Sequence, residues 1–443
     1  MRPERGTTSA NSQLGTVDAK SLPMQGEVSD AETRAAKRWA HRDRLRLVRS
    51  GFSTAADLDT EGHTEGMALC NLANTLDHSG RWIEAYEAYT RALKADPTNG
   101  NAAGNAAVLI DRAIQSGWDF EGHLCSLYDH YLTMAHANRD RTIEVAGEGA
   151  AARFDQMQLL GSHEMLHQVG ASDDDYQQWI IDHRLALSAS LEGLGKSDRE
   201  GRWDTANIRQ VTTPVGQETM PPIFALVNLL KADFLVARRL AFDTTQRIAT
   251  SADGWKQEAS DPGVYSDTLD YSIYGTLSSS LVLAHRAAID MLDKTAVAAN
   301  EHFEVGDDPQ YVSFRRFWTR TVKGGSAVLR PELFAKSHLA SSVLAMAELA
   351  HDMLDDGIYA HAQEVRHAGT HRFVLVHHSL HEIETNAAVQ AIDLNHMVET
   401  TMQALSVARA AFLYLVSMVD VDESIKQRHS DGLVAPIHVW NVS

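Results

Sequence analysis

Helical spacing of apolar residues is the feature of this sequence that most constrains its fold. From about residue 31 onward, apolar side chains recur three and four positions apart in nearly every segment, and no stretch sustains the period-two alternation of a half-buried strand. The 443 residues include only 10 prolines, so long helices meet few interruptions. We therefore predict an all-α fold.

Length, charge and cysteine content narrow the class of protein. With 443 residues, of which 44% are hydrophobic, the chain is long enough for two or three helical domains. The formal charge of −19 opposes indiscriminate binding to nucleic acid or anionic membrane, so any nucleic-acid site must be a local basic patch. Two cysteines, Cys70 and Cys125, provide neither a disulfide framework nor a cysteine-based zinc site.

The expected location is the cytoplasm, without membrane insertion. The N-terminal stretch "MRPERGTTSANSQLG" lacks the apolar core of a signal peptide. The longest apolar run, "AAFLYLVSMV", is too short to span a bilayer by itself. The two cysteines fit a reducing compartment.

The chain divides into four predicted segments. Residues 1–30 are rich in small polar residues and are expected to form a disordered lead. Residues 31–160 are expected to form a helical region whose first helix has a basic outer face, and residues 161–220 a connecting helical segment. Residues 221–443 are expected to form a bundle of four or five long helices that begins at "PPIFALVNLL".

Residues 66–99, "GMALCNLANTLDHSGRWIEAYEAYTRALKADPTN", have small residues where two antiparallel helices must touch. Gly80 makes the turn and Pro97 ends the second helix. This pattern resembles one tetratricopeptide repeat, which places a tetratricopeptide-like helical repeat region before the C-terminal bundle. A single repeat cannot bury its own face, so neighbouring helices must stack on it. The resemblance implies a surface for a protein partner, and a structural spacer is the alternative.

A zinc-binding pattern occurs at "GSHEMLHQVGASD". His163, Glu164 and His167 have the H-E-x-x-H spacing that puts two imidazoles beside a general-base carboxylate on one helix face, with Asp173 as a conceivable third ligand. Because the chain contains 22 histidines, this spacing is expected by chance. We predict a polar helix here, with no metal site and no cofactor, and keep a zinc peptidase as the least favoured function.

The stretch "EVRHAGTHRFVLVHH", residues 364–378, combines two arginines and four histidines in a sequence with helical character. An arginine fork matches two phosphate oxygens, and histidine transfers protons near neutral pH. On a helix, Arg366 and His371 point about 140° apart, so the pair need not converge within one chain. Two copies related by a two-fold axis would supply two pairs to one groove. His367 and His371, four apart, share a helix face.

Five sequence blocks, in this order, resemble the HEPN superfamily, the higher eukaryote and prokaryote nucleotide-binding domains. Within it they resemble a bacterial subfamily that is fused to tetratricopeptide-like helices. They are "NLLKADFLVARRLAFD", "DTLDYSIYG", "AHRAAIDMLDKTAVAANEHF", "VSFRRFW" and "VRHAGTHRFVLVHH", within roughly residues 150–430. The resemblance implies a metal-independent endoribonuclease, commonly a toxin or defence effector, that works as a dimer. By position, Arg366 and His371 would be catalytic and His367 the intervening polar residue, which is most often Asn in the family. Gly369 also departs from the pattern, and either loosens the helix or admits a partner chain.

A local basic patch follows from "FRRFWTRTVKGGSAVLR". We expect its aromatic residues, Phe314, Phe317 and Trp318, to be core, and its cations to contact phosphates. The predicted RNA contacts are Arg315, Arg316, Arg320, Lys323 and Arg372.

Other charged residues near the motif are assigned to the protein surface and not to the site. Asp290 and Asp293 either orient a motif histidine or, as we favour, pair with Lys294 on the helix surface. His377, His378 and His381 are assigned to the helix surface.

The predicted function is an endoribonuclease controlled or targeted by its front helices. Its expected partners are the RNA substrate, a second copy through the C-terminal bundle, and a protein at the tetratricopeptide-like region. The alternative from a different class is a non-catalytic protein-binding scaffold in which the HEPN-like bundle only dimerises or binds nucleotide.

Overall fold

The computed structural model describes residues 31–58, 62–116, 123–161, 174–188, 204–215, 220–250, 261–322, 324–378, 387–429 and 434–438. Helices dominate these residues, which confirms the predicted all-α class. The predicted lead, residues 1–30, lies outside them. The helices are α1 Ala31–Ala40, α2 Arg42–Leu58, α3 His63–Asp77, α4 Trp82–Ala95, α5 Gly100–Gln115, α6 His123–Ala137, α7 Arg139–Ala146, α8 Glu148–Asp155, α9 Asp175–Asp182, α10 Pro222–Thr250, α11 Thr276–His302, α12 Phe314–Phe317, α13 Pro331–Phe334, α14 Ala340–His351, α15 Ala360–His371 and α16 Leu394–His429.

Short strands lie between the helices, which the sequence did not predict. They are β1 Gln210–Pro214, β2 Ser272–Ile273, β3 Thr319–Thr321, β4 Ala327–Leu329, β5 Phe373–His377, β6 Val389–Asp393 and β7 Val434–His438. The antiparallel pairs are β1 with β7 and β3 with β4, while β5 pairs with β2 antiparallel and with β6 in parallel. These short strands pair with one another in the segments that connect the helices.

The chain forms two compact units. Unit 1 contains residues 1–206, Trp318–Asp352 and Asp356–Ile358, and unit 2 contains Asn207–Phe317, Met353–Asp355 and Tyr359–Ser443. The predicted boundary near residue 221 therefore differs from the division in the structure. Residues 318–352, which we expected in the C-terminal bundle, pack with the N-terminal helices instead.

Unit 1 is built on the helical hairpin that the repeat pattern predicts. Helices α3 and α4 pack together through small residues, and Ala73, Ala85 and Ala92 are fully buried. Gly80 adopts a φ of +77° in the turn, a left-handed conformation that favours glycine. Helices α5 and α6 form the next hairpin and pack against the α3–α4 hairpin. They cover the face that a single repeat could not bury by itself, as expected.

Helix α14 joins unit 1 through a buried cluster of charges. Arg49 of α2 binds Asp352 with Nε and Nη2, both at 2.7 Å, and binds Glu348 with Nη1 at 2.7 Å. Arg81 also pairs with Asp352, and Ser79 Oγ donates to Glu348 at 2.5 Å. Arg49 therefore has no solvent exposure and is not part of a basic outer face.

Opposing effects set the ionisation of this cluster. Burial alone would raise the pKa of Asp352, but the guanidinium groups of Arg49 and Arg81 outweigh it, so this pKa lies below its ordinary value. Burial alone would likewise lower the pKa of Arg49, but Asp352 and Glu348 raise it. Arg49 and Asp352 are therefore both charged, and each charge depends on its partners.

Unit 2 is a bundle in which α10, α11 and α16 pack together and α15 lies against α11 and α16. Helix α10 begins at Pro222, as the "PPIF" sequence predicted. Helix α16, which includes the run "AAFLYLVSMV", is long and apolar enough to cross a membrane by length and composition. However, 78% of its most apolar window is buried inside the protein, as in the core helix of a bundle.

The stretch that follows the motif helix is a strand, so our prediction of one helical segment through residue 378 was wrong. Arg372 adopts extended angles and ends α15. Val374 and Val376 then favour a strand because both are β-branched. Val376 is buried with Ile273 and Ile392 from the two flanking strands, and this packing stabilises the extended conformation.

Candidate active site

The motif helix α15 presents one face to the core of unit 2. Val365 is buried in a cluster with Leu281 and Met397, and Ala362 and Ala368 have no solvent exposure. At Gly369, a Cβ atom would lie 3.0 Å from Arg286 Cδ and 3.6 Å from Val282 Cγ1. Gly369 therefore permits the close approach of α11 of the same chain.

Arg366 is held by two aspartates of α11. Its Nε donates to Asp290 Oδ1 at 3.0 Å and its Nη2 to Asp293 Oδ2 at 2.8 Å. The arginine side chain remains 26% exposed. Because Asp290 and Asp293 are three residues apart on one helix, they share a face and fix the plane of the guanidinium.

The prediction that these aspartates pair with Lys294 was wrong. Lys294 Nζ instead binds Asp233 Oδ2 at 2.6 Å, so it contributes to the packing of α11 against α10. Asp293 has a second role, because its Oδ1 accepts the Phe314 backbone N–H at 2.7 Å. One carboxylate thus connects the motif arginine to the start of α12.

An open pocket of about 470 Å³ adjoins the motif. Arg366 and His367 line it together with Arg315 and Arg316 from α12 and Gln363 from α15. Both α12 arginines are exposed, and neither guanidinium forms an ion pair within the part of the chain that the structure describes. Two of the predicted RNA contacts therefore lie beside two of the predicted catalytic residues.

The remaining predicted site residues are distributed differently. His371 ends α15, and its side chain lies outside the described residues, as does Lys323. Arg320 belongs to β3 of unit 1, where its Nη1 pairs with Glu332 Oε1 at 2.7 Å. Arg372 is exposed and its Nη2 lies 3.4 Å from Gln390 Oε1. The structure therefore groups Arg315, Arg316, Arg366 and His367, and does not include Arg320 in that group.

The aromatic residues of the basic stretch are core, as predicted. Phe314, Phe317 and Trp318 are each at most 2% exposed. The prediction of a surface position for His377 was wrong, because this residue lies in β5, is 1% exposed, and places Nδ1 3.2 Å from Asp270 O. His378 is exposed, and His381 lies outside the described residues.

Possible metal ligands occur at two places. The H-E-x-x-H stretch, with His163, Glu164 and His167, lies outside the described residues. His302, Asp422 and Glu423 have ligand atoms within 4.8 Å of one another in unit 2. The Lys426 ammonium binds Asp422 at 2.9 Å and Glu423 at 2.7 Å. It therefore supplies positive charge where a metal ion would be needed, so this cluster is well explained as an internal ion-pair network.

Comparison with known families finds the two domains that the sequence predicted. Residues 66–99 match the tetratricopeptide repeat family. Residues 214–422 match the LA2681-like HEPN family. The matched stretch includes residues 318–352, which fold in unit 1. No curated protein and no solved structure matches the chain significantly.

Proposed function

We propose that this protein is a metal-independent endoribonuclease of the HEPN type. The observation that carries the proposal is the pocket in which motif residues Arg366 and His367 lie beside Arg315 and Arg316, whose guanidinium groups form no ion pair among the described residues. Three guanidinium groups around one opening favour a polyanionic substrate such as the phosphate backbone of RNA. The match to the HEPN family supports this assignment.

The proposed reaction is transfer of a phosphate ester within the RNA. A base removes the proton of the 2′-hydroxyl, the 2′-oxygen attacks phosphorus, and the bond to the 5′-oxygen breaks as that oxygen receives a proton. The products are a 2′,3′-cyclic phosphate and a 5′-hydroxyl. His371 is assigned to proton transfer and Arg366 to stabilising the negative charge on the non-bridging oxygens of the reacting phosphate, with His367 as a second polar group.

The aspartate clamp on Arg366 suits this role. A guanidinium stabilises a transition state best when its plane is fixed before the substrate binds. Asp290 and Asp293 occupy the Nε and Nη2 positions, and the side chain remains partly exposed. The clamp thus orients the cation without burying it.

The proposed assembly is a homodimer through the C-terminal bundle, because a single motif supplies few groups for both proton transfers. Tetratricopeptide repeats are protein-binding modules, so the front helices are assigned to controlling or targeting the nuclease, as in a cytoplasmic toxin or defence effector. Light scattering tests the assembly. A stable monomer at micromolar concentration, with activity per chain that does not depend on concentration, would contradict a shared active site.

The decisive experiment uses the full-length protein and end-labelled single-stranded RNA in excess EDTA. We expect cleavage, with fragments ending in 2′,3′-cyclic phosphate, and no cleavage by Arg366→Ala. Arg239→Ala is the matched control, since Arg239 is a 55% exposed arginine of unit 2 that pairs with Asp243 and is not part of the pocket lining. Intact RNA across salt and pH conditions would favour the non-catalytic scaffold. Zinc retained in stoichiometric amount, with peptidase activity lost on chelation, would favour the zinc peptidase.

A further inference from the structure

We propose that the pocket beside the motif is a subsite for one unpaired nucleobase of the substrate, and that Gln363 reads the edge of that base. This inference rests on the proposed endoribonuclease function and specifies its substrate. It makes Gln363 a specificity-determining residue.

Gln363 is an amide side chain of the pocket lining. The residue is only 6% exposed and lines the pocket. Its side-chain amide has no hydrogen-bond partner among the residues that the structure describes, and its polar atoms are not among the buried unpaired atoms of those residues. The amide is therefore open to the pocket, where it can donate to and accept from a ligand. Gln363 precedes Arg366 by three residues and therefore shares its helix face.

The apolar side of the pocket suits a flat ring. Ile289 and Leu292 of α11 and Met353 and Leu354 line it. A volume of about 470 Å³ lies in the range of small-molecule sites and is ample for a base with its ribose. These apolar residues can bury a ring, and the polar residues of the same lining, Gln363 and Ser313 among them, can supply the hydrogen bonds that give selectivity.

Arginines at the same pocket account for the flanking phosphates. Arg315 and Arg316 are exposed and carry no ion pair within the described residues. The backbone of α12 is fixed to the site through the Phe314 N–H, which donates to Asp293. A base in the pocket would thus lie beside three guanidinium groups, which can bind its flanking phosphates.

The amide chemistry points to adenine. A glutamine amide offers one donor group and one acceptor side by side. Every RNA base presents a donor beside an acceptor on its Watson–Crick edge, but adenine presents a second such pair, N6–H and N7, on its other edge, so it matches a glutamine along two edges. In single-stranded RNA both edges are accessible.

The test measures cleavage of single-stranded RNA oligonucleotides that differ at one position, with the full-length protein. We expect the wild type to favour adenine by about tenfold or more. Gln363→Leu, which keeps the size but removes both hydrogen-bonding groups, should reduce the preference to about twofold or less while Arg366-dependent cleavage persists. Gln310→Leu is the control, because Gln310 is an exposed residue of unit 2 outside the pocket lining.

A second substitution and a binding measurement keep the inference falsifiable. If Gln363→Leu does not fold, Leu354→Trp, which fills the pocket from a half-buried position, should remove the base preference. Binding of AMP, GMP, CMP and UMP by ligand-observed NMR separates this inference from the proposed function. Selective binding of AMP that depends on Gln363, without RNA cleavage, would uphold the subsite and reject the nuclease. Cleavage with one base preference in all variants, or no binding and no cleavage, would overturn the subsite.

Discussion

The guanidinium of Arg49 and the carboxylate of Asp352 form a two-point ion pair across 303 residues of sequence, with both N–O distances at 2.7 Å and no solvent exposure of either side chain. Such a pair is costly to break from one side, because the remaining charge stays buried without its partner. It connects α2 to Asp352, the last residue of the unit 1 segment 318–352, which lies inside the stretch that matches the HEPN family.

Replacing Arg49 should therefore destabilise unit 1 strongly. We expect Arg49→Met to lower the free energy of unfolding by about 3–5 kcal/mol, since Asp352 and Glu348 lose a shared cation. Arg139→Met is the control, because Arg139 pairs with Glu148 and Asp155 at the surface, where such pairs contribute about 0–1 kcal/mol. Urea unfolding measures both, and equal midpoints for the two variants would contradict the importance of the buried cluster.

Gly80 should resist substitution for two reasons. Its φ of +77° strains any other residue, and a Cβ there would lie 2.9 Å from the backbone oxygen of Ser341 in α14. We expect Gly80→Ala to cost roughly 2–4 kcal/mol, of which strain accounts for about 1–2 kcal/mol. Gly325→Ala isolates the strain, because Gly325 has a φ of +85° but a Cβ there would have no neighbouring atom within 4 Å. Equal changes in melting temperature for the two variants would show that contact with α14 adds nothing.

His285 should make stability depend on pH. Burial lowers the pKa of this imidazole from 6.5 to about 4, and neither ring nitrogen has a hydrogen-bond partner among the described residues. As the pH falls below 6.5, His285 binds a proton in the unfolded chain, whereas in the folded chain it binds one only near pH 4. The free energy of unfolding therefore falls by up to about 3 kcal/mol.

Removing the imidazole should remove that loss. Relative to the wild type, His285→Leu should gain stability progressively as the pH is lowered from 6.5 to 4, measured by urea unfolding at several pH values. His361→Leu serves as the control, because the His361 side chain is 71% exposed. An unchanged pH profile in His285→Leu would show that the buried imidazole is charged in the folded protein.

The aspartate clamp should affect turnover more than substrate binding. We expect Asp293→Asn to lower kcat by about ten- to hundredfold, because it loosens both Arg366 and the start of α12, and Asp290→Asn to lower it less. KM should change little in either. Asp233→Asn, which only removes the partner of Lys294, should leave kcat unchanged. Higher kcat in Asp293→Asn would mean that the clamp restrains Arg366 instead of orienting it.

Motif variants should distinguish the roles within α15. Arg366→Lys should restore little activity relative to Arg366→Ala, because an ammonium keeps the charge but loses the fork. His371→Ala should nearly abolish cleavage, and the double variant Arg366→Ala/His371→Ala should be little worse than either single variant.

His367→Asn should retain activity if His367 only orients the other groups of the motif and transfers no proton. His361→Ala provides the control on the same helix. Wild-type rates in folded, dimeric Arg366 and His371 variants would reject the scheme.

Local patterns predicted much of the fold. The small residues of α3 and α4, the turn at Gly80 and the start of α10 at Pro222 follow from spacing and backbone chemistry, which a single sequence contains. The burial of Phe314, Phe317 and Trp318 beside exposed arginines was also predictable, since aromatic rings and guanidinium groups separate in this way in short basic stretches.

Tertiary effects account for the errors. Strand β5 contains too few alternating residues to reveal a strand, and it forms because β2 and β6 provide hydrogen bonds on both sides. The burial of Arg49 could not be predicted, because the carboxylates that compensate its charge, Glu348 and Asp352, lie 299 and 303 residues away in the sequence. Asp290 and Asp293 had a nearer candidate in Lys294, and the approach of α15 over Gly369, which brings Arg366 to them, is not encoded within either helix alone.

The interleaving of the two units limits how this chain can be divided or recombined. Residues 318–352 lie inside the family-matched stretch yet share a core with helices α1–α4. A truncation that removed the front helices would remove Arg49 and Arg81, which neutralise the buried carboxylates Glu348 and Asp352. It would also expose the apolar face of α14. Recombination at a single breakpoint between the front helices and residues 318–352 would leave the same carboxylates without their arginines. The front helices and residues 318–352 must therefore be inherited, and engineered, together.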